Sequence, residues 1–192
     1  MNFTAPWFHN AHEKVWPMWV APILVPRSPV RILEIGAYEG AATTWLLQRV
    51  IGKHPESRIV VVDPWAANGS DYDYEAAHAR FVENVQETGL AERVSKLRAT
   101  SRDALPPMPD ASFDMIYVDG DHSAEGAEFD TRQAVRLAKP DGLLVWDDVF
   151  FVGEHTADVV AGMNRGLAAC GVRNRPVLQI GGAAVMFRSV LP

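Results

Sequence analysis

From Val30 onward the chain alternates short apolar runs with longer amphipathic ones, and this alternation leaves few architectures open. Arg31–Ile35 (RILEI), Arg58–Val62 (RIVVV), Phe113–Val118 (FDMIYV) and Gly142–Trp146 (GLLVW) have the length and branching of buried strands. Arg93–Arg98 reads as a further strand, interrupted by charge. Between them lie helical segments at Ala41–Val50, Tyr74–Glu87, Ala127–Ala138 and Ala157–Ala169, with stops at Gly89, Lys139-Pro140 and Gly171. Val177–Ile180 and Ala184–Phe187 flank Gly181-Gly182 as an antiparallel hairpin. Apolar strands separated by helices predict a Rossmann-like, doubly wound α/β sheet, mostly parallel. Ligands of such sheets bind beyond the carboxyl ends of the strands, so the chemistry is sought there.

Residues 1–29 follow another pattern, with Trp7, Phe8, Trp16 and Trp19 among Pro6, Pro17, Pro22 and Pro26. Prolines at that density forbid one long helix, which predicts a short helix around Asn10–Trp16 followed by an irregular arm. The tryptophans either pack on the core or line a pocket for a substrate. Residues 30–192 are read as one domain, because 192 residues is close to the ~150 typical of a single domain. At 48% hydrophobic residues the chain has the material for a core and is not disordered. The net charge of −6 argues against capture of a nucleic-acid backbone. No apolar run approaches the ~18 residues of a membrane span. The N-terminus lacks a basic stretch followed by an apolar one, so a cytoplasmic protein is expected. The single cysteine, Cys170, has no intrachain partner for a disulfide.

The predicted strand ends carry the polar residues. After the first comes Glu34-Ile-Gly36-Ala-Tyr38-Glu-Gly40, a glycine loop that lets backbone N–H groups approach a ligand. The dinucleotide fingerprint fails, since Tyr38 and Ala41 stand where its later glycines belong, so the loop suits a cofactor without a pyrophosphate. Asp63 ends the second strand, where a carboxylate binds ribose hydroxyls or simply forms a turn before Pro64. After the third come Thr100, Ser101, Arg102 and Asp103, either an adenine edge or a capped helix start. The fourth ends in Asp119-Gly-Asp121-His122 and the fifth in Asp147-Asp148. Acids so crowded need a cation or a proton to offset their repulsion, and hard oxygen ligands favour Mg²⁺, Ca²⁺ or Mn²⁺.

Together LEIGAYEG, VVDPW, ATSRDAL, YVDGDH and WDD resemble class I S-adenosylmethionine-dependent methyltransferases. More narrowly they resemble the catechol-type O-methyltransferases and their relatives acting on sugars and natural products. The resemblance covers about Val30 to Val149 and implies the class I methyltransferase fold. It implies that Gly36, Ala37, Tyr38 and Gly40 hold the methionine part of the cofactor and that Asp63 binds the ribose. Ser101, Arg102 and Asp121, with Asp119 beside them, fall on the adenine side. Asp119, Asp147 and Asp148 fall on the metal positions, with Mg²⁺ the expected ion, and His122 falls where the catalytic base belongs. Asp148 replaces the amide of the catechol enzymes, which makes this site more anionic.

The expected partner is a small-molecule acceptor, with a homodimer as an option and neither nucleic acid nor membrane involved. The competing readings are a cofactor-binding partner protein without catalysis and a nucleotide-linked dehydrogenase, the latter opposed by the missing fingerprint.

Overall fold

The apolar runs become the parallel strands of one sheet. The computed structural model describes residues 1–66, 72–150, 155–171, 178–180 and 183–187. In chain order these form α1 (Trp7–Ala11), α2 (Trp16–Leu24), β1 (Arg31–Ile35), α3 (Ala41–Arg49), β2 (Arg58–Val62) and α4 (Tyr74–Glu87). There follow β3 (Val94–Leu97), α5 (Ser101–Ala104), β4 (Phe113–Val118), α6 (Ala124–Leu137) and β5 (Ala138–Trp146). The last elements are α7 (Thr156–Ala169), β6 (Leu178–Ile180) and β7 (Ala183–Phe187). The strand order is β3-β2-β1-β4-β5-β7-β6. Neighbours from β3 to β5 run parallel, whereas β7 pairs antiparallel with both β5 and β6. The winding reverses between β1 and β4, which opens a crevice at their carboxyl ends.

Every residue of β4 is buried, as expected for a strand covered by helices on both faces. On one face α3 and α4 contribute Leu46, Leu47 and Phe81 to the core; on the other α6 and α7 contribute Leu137, Val159, Met163 and Leu167.

The structure departs from expectation in three places. The arm is helical over residues 7–11 and 16–24, and residues 12–15, the middle of the stretch expected to be helix, form the turn between them. The turn closes because Val15 and Trp16 both donate to the His12 carbonyl, each at 2.9 Å. Pro17 sits in the first turn of α2, where its missing N–H costs nothing. Pro22 lies inside α2, opposite the backbone of exposed Met18, where water can take the lost partner's place. Next, α6 starts at Ala124 because the Ser123 hydroxyl caps the Gly126 amide at 3.0 Å. Finally, β5 begins at Ala138 rather than Gly142, with a register shift opposite Phe113 and Met115 that absorbs Pro140. Val177 and the Gly181-Gly182 turn lie outside the described residues.

The arm belongs to the core. Trp16 is fully buried, with edge-on ring contacts to Phe8 at 4.9 Å, Tyr117 at 5.1 Å and Trp45 at 5.4 Å. Replacing Trp16 with alanine is therefore expected to cost about 3–5 kcal/mol in chemical denaturation. A loss under about 1 kcal/mol would show that the arm is a detachable appendage.

Candidate active site

One hydrogen-bond pattern sets the positions of the candidate residues. Gly36, Asp63, Asp119 and Asp147 are each the first residue beyond a strand. Each donates its amide to the last carbonyl of the neighbouring strand: Gly36 to Val62 at 2.8 Å, Asp63 to Leu97 at 3.2 Å, Asp119 to Ile35 at 2.8 Å and Asp147 to Val118 at 3.0 Å. The ladder thus runs one residue past the sheet and brings these side chains to a common edge.

The glycine loop is built on this edge. Gly36 has φ 82°, and a Cβ there would lie 1.8 Å from the Asp119 carbonyl oxygen. Only glycine lets the β1 loop pass so close to the end of β4. Asp63 holds the loop, since its Oδ2 accepts the amides of Ala37 at 2.8 Å and Tyr38 at 2.9 Å, and its Oδ1 accepts that of Trp65 at 2.6 Å. A carboxylate offers about four acceptor positions, so roughly one remains for a ligand hydroxyl. Tyr38 is left-handed, with φ 49°, and Trp65 Nε1 donates to its carbonyl at 2.7 Å. Gly40 caps α3 in the left-handed region.

The expected adenine side is more heavily engaged with protein. Ser101 opens α5 behind the Thr100 cap. Arg102 donates to Glu125 at 3.0 Å and stacks 4.9 Å from the Phe129 ring centre. Asp121 accepts the Ser123 amide at 2.9 Å at the start of α6. Beneath this turn the buried Asp130 lies against Gly120, where a Cβ would come 2.8 Å from its Oδ2.

The acids at the ends of β4 and β5 divide into two groups. His122 Nε2 lies between Asp119 Oδ1 at 3.4 Å and Asp148 Oδ2 at 3.3 Å, and these side chains are 34–38% accessible. One ligand atom from each of the three lies within 4.8 Å of the others, an imidazole and two carboxylates suited to a divalent cation. Asp147, expected to complete the metal set, turns away. Its Oδ2 accepts from His12 Nε2 at 2.8 Å and from the Tyr117 hydroxyl, and its Oδ1 accepts the Asp148 amide at 2.9 Å.

Charge follows the same division. Partial burial first, then the Asp147 charge, pushes Asp119 up to about 7. The hydrogen bond to Asp119 and the surrounding carboxylates raise His122 to about 9. Burial opposes ionisation of Asp147, but the His12 and Tyr117 hydrogen bonds outweigh it and hold its pKa below the usual carboxylate range. Burial and the charges of Asp119 and Asp147 drive the Tyr117 hydroxyl well above its ordinary value, so it stays a neutral donor. His122, which falls where the resemblance places the catalytic base, is raised to about 9 because two carboxylates face it, and so favours its protonated form near neutrality in the ligand-free protein.

Two residues of the site escaped the sequence reading. His12 stands 135 positions from Asp147, and no local pattern connects them. Glu34 sits in the strand run and reads as part of it, yet it is a fully buried acid beside the glycine loop. Its Oε2 accepts the Thr43 hydroxyl at 2.6 Å, and its Oε1 has no protein partner among the described residues.

A doubly wound sheet with a glycine loop on one side of its reversal point and an Asp-Gly-Asp-His turn on the other defines a class I methyltransferase. Residues 33–149, more than half of the chain, match the family described as "Methyltransferase domain", and the chain belongs to that family. It is similar to the catechol O-methyltransferase of Mycobacterium tuberculosis (strain ATCC 25618 / H37Rv), 31% identical over 120 residues, 62% of this chain and 48% of that protein. It is also similar to the uncharacterized protein y4gI of Sinorhizobium fredii (strain NBRC 101917 / NGR234), 27% identical over 163 residues, 80% of this chain and 17% of that one. The matched segments thus span about half or less of these relatives. Among solved structures, the cofactor-bound Rv0187 from MTB superposes with TM-score 0.65 at 23% identity, covering 89% of this chain and 78% of that chain. The SAH-bound Podospora anserina methyltransferase PaMTH1 gives 0.67 at 19% identity, covering 96% and 82%. At these identities the structural likeness shows the fold alone. No helix among the described residues is long and apolar enough to cross a membrane.

Glu34 provides a test of the site's electrostatics. Burial raises its pKa from 4.5 to about 8, against the opposing Thr43 hydrogen bond. Between those values the unfolded chain is ionised while the folded one keeps its proton, so stability falls as pH rises through this window and levels off above it. Glu34→Gln removes this dependence. Its denaturation midpoint is expected to gain on the wild type steadily from about pH 5 to pH 8. Parallel curves would show that Glu34 is ionised in the fold.

Proposed function

We propose that this chain transfers a methyl group from S-adenosylmethionine to a hydroxyl oxygen of a small molecule such as a catechol, a sugar or a natural product, beside a divalent cation. The observation that carries this reading is the contact between Gly36 and the Asp119 carbonyl, which puts the cofactor loop and the acid–imidazole group in one crevice. The residues fit the cofactor: the loop has no room for a side chain at Gly36, its amides are fixed by Asp63, and the Glu34 Oε1 beside it is a buried polar atom with no hydrogen-bond partner among the described residues. They fit a cation through Asp119, His122 and Asp148. A chemically related activity in the catechol O-methyltransferase relative supports the choice of oxygen as acceptor.

Methyl transfer is an in-line displacement in which the sulfonium–carbon bond breaks as the oxygen–carbon bond forms, so the protein's main task is alignment. Asp63 and Gly36 fix the donor side. Asp119, Asp148 and His122 form the acceptor side. A bound divalent cation would lower the pKa of the acceptor hydroxyl and neutralise the acids. His122 carries its own proton when no cation is present, so it would act as base only where the two carboxylates hold the cation and that charge drives the imidazolium proton off.

The test is calorimetric titration with S-adenosylmethionine, then a product screen over catechols, sugars and phenols with and without Mg²⁺. Asp63→Ala is expected to weaken cofactor binding by about 1.5–3 kcal/mol, roughly 10- to 150-fold, because it loses ligand and loop hydrogen bonds together. His122→Ala should keep cofactor affinity while lowering turnover ~10²–10⁴-fold. A wild-type chain that binds no cofactor overturns the proposal, and one that binds it without turnover on any acceptor is a partner protein instead.

A further inference from the structure

His12 is fully buried, in the turn between α1 and α2. Its ring is boxed by Trp16 at 5.4 Å, Phe8 at 5.6 Å and Tyr117 at 6.2 Å between centroids, which fixes its orientation. The one polar partner of this ring among the described contacts is Asp147, at 2.8 Å from Nε2, and Nδ1 has none. A carboxylate supplies only acceptors, so Nε2 carries the hydrogen. Tyr117 donates to the same Oδ2 and stands 3.4 Å from Asp119 Oδ2, so one hydroxyl separates the two acids. On its other side Asp147 Oδ1 accepts the amide of Asp148, a non-glycine residue held at φ 57°. That left-handed turn places the Asp148 carboxylate on His122.

We propose that His12 is a positioning residue of the active site: it holds the Asp147 carboxylate back, so that the group offered to a cation is Asp119, His122 and Asp148, and Asp147 acts from behind by fixing Asp148. This differs from the sequence expectation of Asp119, Asp147 and Asp148, and it makes the N-terminal arm part of the site. The inference rests on the proposed ion-assisted reading of this crevice.

Removing the Nε2 donor leaves a buried carboxylate with one fewer partner, one oxygen away from the cation-binding group. It then serves as an additional anionic ligand. The probe is Mn²⁺ alone, titrated into the full chain, with S-adenosylhomocysteine affinity measured in parallel. His12→Phe keeps the aromatic volume and loses the donor; it is expected to bind Mn²⁺ at least tenfold tighter, with S-adenosylhomocysteine affinity within twofold. His12→Gln restores a donor at the Nε2 position and should return Mn²⁺ affinity to near wild type. A purely structural histidine would instead lower stability in both variants and leave Mn²⁺ affinity alone. Should His12→Phe not fold, Asp147→Asn decides: Mn²⁺ affinity within threefold of wild type, against a loss of thirtyfold or more in Asp148→Asn. Equal losses in the two aspartate variants, or unmoved Mn²⁺ affinity in His12→Phe, would overturn the inference. A wild-type chain that binds no Mn²⁺ sinks the ion reading instead. The cation-free protein then tests His12 by NMR: the Asp148 amide and His122 ring resonances should shift in His12→Phe and not in His12→Gln, and unmoved resonances would overturn it.

Discussion

Four backbone hydrogen bonds set the geometry of the site. They continue the parallel ladder one residue past β1, β2, β4 and β5, and the donor in each case is a candidate site residue. A parallel ladder has one fixed slant, so its extension leaves the four side chains no independent choice of height. The glycine loop can then meet the β4 turn only if one of the two has no side chain at the contact. That residue is Gly36, whose missing Cβ would lie 1.8 Å from the Asp119 carbonyl oxygen. Any larger residue must push β1 and β4 apart at their carboxyl ends, where a cofactor and an acceptor would have to meet.

The acids collected along this edge are stabilised in four different ways. Asp63 accepts three backbone amides. Glu34 has a single hydroxyl donor and is held near neutral charge by burial. Asp147 is compensated from the core by His12 and Tyr117. Asp119 and Asp148 share the imidazole of His122. Crowding alone therefore does not require a metal for folding, since each acid has a protein partner or a proton. What singles out Asp119, His122 and Asp148 is accessibility: their side chains are 34–38% accessible, against 14% for Asp147.

The strand runs, their boundaries within a residue or so except for the start of β5, and the acids that end them were legible in the sequence because period, branching and terminating glycine or aspartate all act locally. The segments β1, β2, α4 and β4 match the apolar and amphipathic runs residue for residue. The arm was misread because Pro17 is harmless in a first helical turn, so proline content alone does not tell a broken helix from a capped one. The Asp147–Asp148 pair was legible as two acids but not as two roles. Their separation depends on a histidine 135 residues away, brought to Asp147 by the packing of Trp16 and Phe8. Arg102 and Asp121 sit where an adenine contact would be expected, yet their present partners are those of a helix start and a surface ion pair.

The arm also meets the glycine loop from the other side. Trp7, half exposed on α1, lies 5.1 Å from the Tyr38 ring and 5.5 Å from that of Tyr72. Thr4 donates through both its amide and its hydroxyl to the buried Glu39, which also accepts from Arg80 of α4. Tyr38 and Glu39 are consecutive residues of the loop whose amides Asp63 holds. One short stretch of backbone is thus fixed by β2 from below and by the arm from above, while His12 ties the same arm to the end of β5. The arm is therefore hydrogen-bonded both beside the glycine loop, through Thr4, and at the acid edge, through His12.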